Sequence, residues 1–118
     1  MHETAGQSAR PMIKQATAAG IRVLALSGEV DAGNVHLLRQ ALRIDGTRAS
    51  RTLLDLSALA FLDASAISAL AAAQRDAASA DGWIRLESLR ATVQRVVEMV
   101  GLDTVIPCYP TLRQALTS

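Results

Sequence analysis

The chain has 118 residues, a formal net charge of +1 and half its residues hydrophobic, enough for one domain with a real core. The twelve basic residues are scattered among eleven acidic ones, and the chain holds one Phe, one Trp and one Tyr. An extended basic footprint for nucleic acid and a stacking platform for single strands are therefore both excluded. No apolar run approaches the roughly 18 residues of a membrane span.

Residues 1–10 (MHETAGQSAR) read as a flexible polar tail without the basic-then-apolar order of a signal peptide. With a single cysteine, Cys108, no internal disulfide is available. Together these features describe a soluble cytoplasmic protein, with residues 11–118 as its single domain. Cys108 stands beside the apolar run Thr104–Pro107 and reads as a passive, partly buried thiol.

Pro11–Ala16 and Ile21–Ser27 read as strands joined around Ala19-Gly20, a hairpin signal. The second is apolar on both faces at Val23–Leu26, as a strand inside a sheet should be. A loop over Gly28–Gly33 follows, carrying Glu29 and Asp31. Asn34 is placed to cap a helix through about Ile44, with Val35, Leu38, Ala41 and Leu42 inward and Asp45-Gly46 as its stop.

The stretch Thr52–Ala80 is the organising centre. Thr52–Leu56 reads as a central strand, Ser57–Leu62 as a bridge, and Asp63 as the cap of a long Ala-rich helix without Gly or Pro. Its inward stripe is expected at Ile67, Leu70, Ala71, Ala77 and Ala78. That phase puts Ser65 and Ser68 on the exposed side. Asp81-Gly82 closes the helix, and Trp83–Glu87 reads as a strand. A second amphipathic helix, Ala91–Val100, shows Val93, Val96, Val97 and Val100 at i, i+3, i+4, i+7 spacing, with Gly101 as its stop. Thr104–Pro107 reads as a short strand and Thr111–Leu116 as a terminal helix. Strand–helix alternation after an initial hairpin gives an α/β fold: a small mixed sheet, mostly parallel, flanked by about four helices.

Tests for catalysis find little. The chain has no Gly-rich phosphate loop and no metal-ligand spacing, and no cofactor is expected. His36 reads as a solvated helix residue. Asp55 and Asp63 could converge as a carboxylate pair, but each has a simpler role, Asp63 as a helix cap and Asp55 as an acceptor at a strand–loop junction. A phospho-accepting receiver domain needs a lysine after its last strand, and the only lysine is Lys14. What remains is a recognition surface. Loops at the carboxyl ends of parallel strands line one edge of an open sheet, where ligands and partners dock. The residues placed there are Glu29, Asp31, Asn34, Asp63, Ser65 and Ser68.

These residues resemble the STAS domain family (sulphate transporter and anti-sigma factor antagonist). Leu26–Asp31 (LSGEVD) is similar to the family's LxGELD signature. Leu54–Ser57 (LDLS) followed by Phe61–Ala66 (FLDASA) is similar to its LDLSxxxFxDSSG signature, and Val96–Leu102 (VVEMVGL) ends a helix in Gly-Leu as the family does. The resemblance runs from about Met12 to Leu116 and implies a non-enzymatic role. Stand-alone bacterial members are anti-sigma factor antagonists. They bind an anti-sigma factor that is also a serine kinase, are released by phosphorylation at the DSSG serine, and are reset by a phosphatase. Here the usual acceptor position is Ala64, and the next residue, Ser65, is the one hydroxyl that could substitute for it. Without it the domain is a constitutive binder, or a STAS regulatory subunit of an ABC-type lipid or solute transport complex.

Overall fold

The structure, a computed structural model, describes residues 12–43 and 51–118. A five-stranded sheet in the order β1-β2-β3-β4-β5 forms its spine. Strand β1 (Met12–Ala18) pairs antiparallel with β2 (Ile21–Val30), and β3 (Arg51–Leu62), β4 (Trp83–Glu87) and β5 (Cys108–Tyr109) continue in parallel. The helices are α1 (Val35–Leu42), α2 (Ala64–Ser79), α3 (Ala91–Val100) and α4 (Leu112–Thr117). The α/β class, the hairpin and the parallel remainder agree with the sequence reading.

The β1–β2 turn is two residues long, with Ala19 at φ 54° and Gly20 at φ 77°. Such turns need positive φ at both centres to match the twist of the strands. Parallel strands must then be joined by crossovers, and α1 and α2 supply the next two. Adjacent residues of β3 point to opposite faces, which separates two cores. Leu54 and Leu56 belong to the larger, with Leu24, Leu38, Leu70, Leu86 and Val97, while Leu53 joins Ile21 and Ala115 in a smaller one beneath α4. Each fully buried Leu contributes about 1.5–3 kcal/mol of transfer free energy. Arg22 fastens the end of α1 to the sheet. Its guanidinium donates to Ala41 O at 2.8 Å and to Thr52 Oγ1 at 3.0 Å.

Several sequence expectations are corrected. Gly28–Val30 is strand rather than loop, and so is the supposed bridge Ser57–Leu62: Gly28 pairs with Leu59, Glu29 with Phe61 and Val30 with Leu62, across two register shifts. The shifts break the simple alternation that strand recognition relies on. They let Val30, Leu59 and Leu62 all face the core, at 1–2 % exposed. Thr104–Pro107 is not a strand. Gly101 closes α3 in the left-handed conformation (φ 77°), and a 3-10 turn over Leu102–Thr104 follows. The amides of Thr104, Val105 and Ile106 are consumed within that turn, by Gly101 O and Leu102 O, so pairing waits until Cys108. The inward stripe of α2 also sits about one residue earlier than expected, at Ala66, Ala69, Leu70 and Ala77, leaving Ala78 exposed. Helix α1 ends at Leu42. Its expected continuation to Ile44, the Asp45-Gly46 stop, the N-terminal tail and Pro11 all lie outside the described residues.

Candidate functional site

Because β2 and β3 outrun β4, they form a two-stranded ribbon beyond the body of the sheet. Asp63 stands where that ribbon turns into α2. Its extended backbone (φ −108°, ψ −172°) aims the carboxylate back over the first turn of the helix. Oδ1 accepts from Ser65 N at 2.9 Å, from Ala66 N at 3.1 Å and from the Ser65 hydroxyl. These are donors that a helix start leaves without intrahelical partners.

The other oxygen leaves the helix. Asp63 Oδ2 accepts from Ala32 N at 3.1 Å, and Asp63 N donates to Val30 O at 3.1 Å. One aspartate thus ties the β3–α2 junction to the β2–α1 loop, residues 31 apart in sequence. The Ser65 hydroxyl holds the Asp63 carboxyl below its ordinary range; partial burial opposes this, and the amides of Ala66, Ala32 and Ser65 add to the lowering. The carboxylate therefore keeps its charge to lower pH than an ordinary aspartate does.

The facing loop is built the same way. Asp31 Oδ1 accepts from Gly33 N at 2.9 Å, and Asp31 O accepts from Val35 N at 2.8 Å. Asn34 takes the expected N-cap position, but its side chain makes no hydrogen bond to the helix start. Instead Oδ1 accepts from Asp31 N at 2.9 Å and Nδ2 donates to Glu29 O at 3.0 Å, with the residue 9 % exposed. Asn34 therefore shapes the loop from within, because that short amide can serve the loop's own donor and acceptor at once.

Glu29, Asp31, Asp63 and Ser65 are brought to one end of the molecule, and Ser68 follows one turn along α2. Ser68 is exposed, as expected. Ser65 is not: it is half-buried with its hydroxyl spent on Asp63, and Ala64 takes the outward position. The one-residue error in the phase of the helix explains the difference. Sequence reasoning also passed over Phe61, a neighbour of Glu29 in the ladder and 46 % exposed. A lone aromatic two residues before the capping aspartate was the available signal, but only the register shift puts its ring outside.

The Asp55–Asp63 pair is not formed. Seven residues of strand, Leu56–Leu62, lie between the two, a span of roughly 26 Å of chain. Asp55 instead accepts from Ser57 N at 3.0 Å and Ser57 Oγ at 2.7 Å, and its ladder partner is Glu87. His36 is exposed on α1. Cys108 is half-buried, and burial first, then the charges of Asp103 and Glu98, push its thiol up to about 11. It is the quiet thiol the sequence suggested. Among the described residues no group of three or more His, Cys, Asp or Glu could hold a metal ion, and no helix is long and apolar enough to cross a membrane.

A leading antiparallel hairpin, parallel strands with crossover helices, and an Asp-capped helix at the end of the central strand define a small mixed α/β domain of the STAS type. The chain belongs to the STAS domain family, whose model matches residues 12–115. It is similar, at 34% identity over 92 residues, to a Mycobacterium tuberculosis protein provisionally named an anti-anti-sigma factor; the match covers 75% of this chain and 62% of that protein. The chain thus spans less than two thirds of that relative's length. Among solved structures it is similar to an anti-sigma factor antagonist from Mycobacterium paratuberculosis, with a TM-score of 0.80, 29% identity and 91% and 92% of the two chains covered. The same fold occurs within the murine anion transporter Slc26a9, at a TM-score of 0.75 and 18% identity over 95% of this chain and 22% of that one.

Proposed function

We propose that this chain is an anti-sigma factor antagonist-like binding module. It holds an anti-sigma factor with serine kinase activity and so keeps that factor from its sigma factor. The observation that carries this reading is the bridge from Asp63 to Ala32, which fixes two loops as one preorganised acidic surface. The proposed contacts are Glu29, Asp31, Asp63, Ser65 and Ser68, with Asn34 supporting the loop and Phe61 as an apolar anchor. The names of the mycobacterial relative and of the solved mycobacterial antagonist support the choice of partner. The module is a binder rather than a catalyst.

Of the two outcomes for the switch, the geometry favours a binder that persists in ATP. Ala64 has no hydroxyl, and phosphate on Ser65 would replace its bond to Asp63 with a charge of about −1.5 to −2 beside a carboxylate. The test is to mix the chain with candidate anti-sigma kinases and ATP, then to follow complex formation by gel filtration and intact mass by mass spectrometry. The complex is expected to survive with no phosphate added. Phosphorylation at Ser65, reversed by a phosphatase, would instead make Ser65 the acceptor and the module a switched one. In either case Ser65→Glu should weaken binding by roughly 2–4 kcal/mol, tens- to several hundred-fold. A complex indifferent to that substitution would remove the helix mouth from the interface.

A second reading is a regulatory subunit of an ABC-type lipid or solute transport complex. The missing hydroxyl at Ala64 favours it, since such a subunit needs no phosphorylation. Co-purification of an ATP-binding transport subunit in place of a kinase would establish it.

A further inference from the structure

The two faces of the sheet are covered unequally. Helices α1, α2 and α3 pack on the face that carries Leu24, Leu54 and Leu86. Among the described residues the other face has only α4, which lies over β4 and β5 and meets Ile21 and Leu53 through Ala115. Ile13 and Leu24 pack into the larger core, so alternation puts Lys14, Ala16 and Ala18 of β1 and Val23 and Ala25 of β2 on the second face. Lys14 and Ala16 are exposed there, and Ala18, Val23 and Ala25 are only partly buried. Half of this face is an uncovered floor of small apolar residues.

The strand ladder fixes where charge stands on that floor. Lys14 pairs with Ala25, Ala25 with Asp55 and Asp55 with Glu87, so the four form one row across the strands. In that row Lys14 and Asp55 flank Ala25 symmetrically, one strand spacing or about 4.8 Å to either side. Lys14 makes no ion pair among the described residues. Asp55 is half-buried; its Oδ1 accepts from Ser57, while Oδ2 has no donor among the described residues. Arg85, diagonal to Asp55 across the ladder, is spent on the Trp83 ring at 3.9 Å and on Ala115 O at 2.8 Å.

A cation and an anion set symmetrically about an apolar centre make a surface complementary to itself, as an isologous interface requires. We propose that a second copy of this chain covers the floor, face to face, about a two-fold axis running along β2 above Ala25. The rotation carries β1 of each copy over β3 of the other and sets Lys14 against Asp55 twice. Aligned sheets pack about 10 Å apart, a gap that a lysine stem and a carboxylate close between them. Helix α4 does not obstruct the approach. It begins over β4, two spacings or about 10 Å from the axis, whereas β1 of the second copy ends one spacing from it. Each α4 therefore lies beside the open edge of the other copy's β1 and shields it. The helix mouth at Asp63 belongs to α2, on the opposite side of the sheet, and stays free in both copies.

Sedimentation velocity of the intact chain, from micromolar to millimolar concentration, tests this. A dimer with a Kd on the order of micromolar is expected. Lys14→Glu and Asp55→Lys each set two pairs of like charges face to face, and each should raise Kd ~100-fold, roughly tenfold per pair. An equimolar mixture of the two variants regains both opposite pairs, so it should sediment as a heterodimer with a Kd near that of wild type. Such rescue separates the interface from damage to the fold, which mixing does not repair. Ala16→Glu, at an exposed position, supplies an independent variant expected to be folded by circular dichroism and monomeric. A wild-type chain that is monomeric up to millimolar concentration would overturn the proposal. So would a dimer indifferent to the charge reversals or to Ala16→Glu, or a mixture of the two folded reversal variants that stays monomeric.

Discussion

Asp63 follows the central strand β3 and Glu87 ends the neighbouring strand β4, both at the carboxyl edge of the parallel strands, and their surroundings drive them in opposite directions. Asp63 is ringed by donors: three amides and a hydroxyl converge on its two oxygens. Glu87 is 2 % exposed, with the neighbouring Ser88 hydroxyl as its hydrogen-bond donor and Asp55 across the ladder. Burial pushes the Glu87 carboxyl up; the Ser88 hydroxyl offsets part of this, and the charge of Asp55 adds to it. A charge supplied with backbone donors can hold a surface rigid at little cost, whereas one enclosed without them is a liability to the fold. The end of the β2–β3 ribbon is therefore built to present charge, and the end of β4 encloses it.

The largest expected effect tests what supports the ribbon. Leu59→Ala, in the part of β3 that outruns β4, should cost about 2–5 kcal/mol by urea unfolding. A loss below about 1 kcal/mol would mean that the ribbon is not anchored through its apolar residues.

Next is Glu87→Gln, expected to stabilise the chain at neutral pH by about 1–3 kcal/mol, the scale of a poorly satisfied buried polar group. The sign follows from linkage. With its folded value raised, Glu87 keeps its proton in the native state where the unfolded chain has lost it. Stability then declines as pH rises from the ordinary value of 4.5 through the folded value, and is level above it. Glu87→Gln should abolish that decline. Asp63 gives the opposite limb: its contribution is present above the ordinary value of 3.8 and is lost as pH falls through its lowered folded value. Denaturation of wild type, Glu87→Gln and Asp63→Asn across acid pH would separate the two limbs, and parallel curves for all three would contradict the contrast.

The smallest effect on stability should be the most telling for binding. Phe61→Ala, half outside the fold, should change unfolding free energy by no more than about 0.5 kcal/mol. It should nevertheless weaken partner binding ~10-fold or more by calorimetry, as loss of an aromatic anchor does. Unchanged affinity would exclude Phe61 from the contact surface.

Local chemistry made much of this molecule legible in the chain alone. Ala19-Gly20 between two apolar runs specified the hairpin, the valines at i, i+3, i+4, i+7 specified α3, and Asp63 before an Ala-rich run specified the start of α2. Each depends on residues within a turn or two of one another, so sequence order carries the information. Tertiary structure decided the rest. The register shifts that make Ser57–Leu62 a strand and turn Phe61 outward exist only because β2 pairs with β3. The choice of Ala66 and Ala69 over Ala71 and Ala78 as the inner stripe depends on where the sheet lies beneath α2, and it buries Ser65 by half. The same is true of Asn34, turned inward by Glu29 and Asp31. Contacts across the chain are set by which faces pack together, and a periodic sequence leaves that choice free by about one residue.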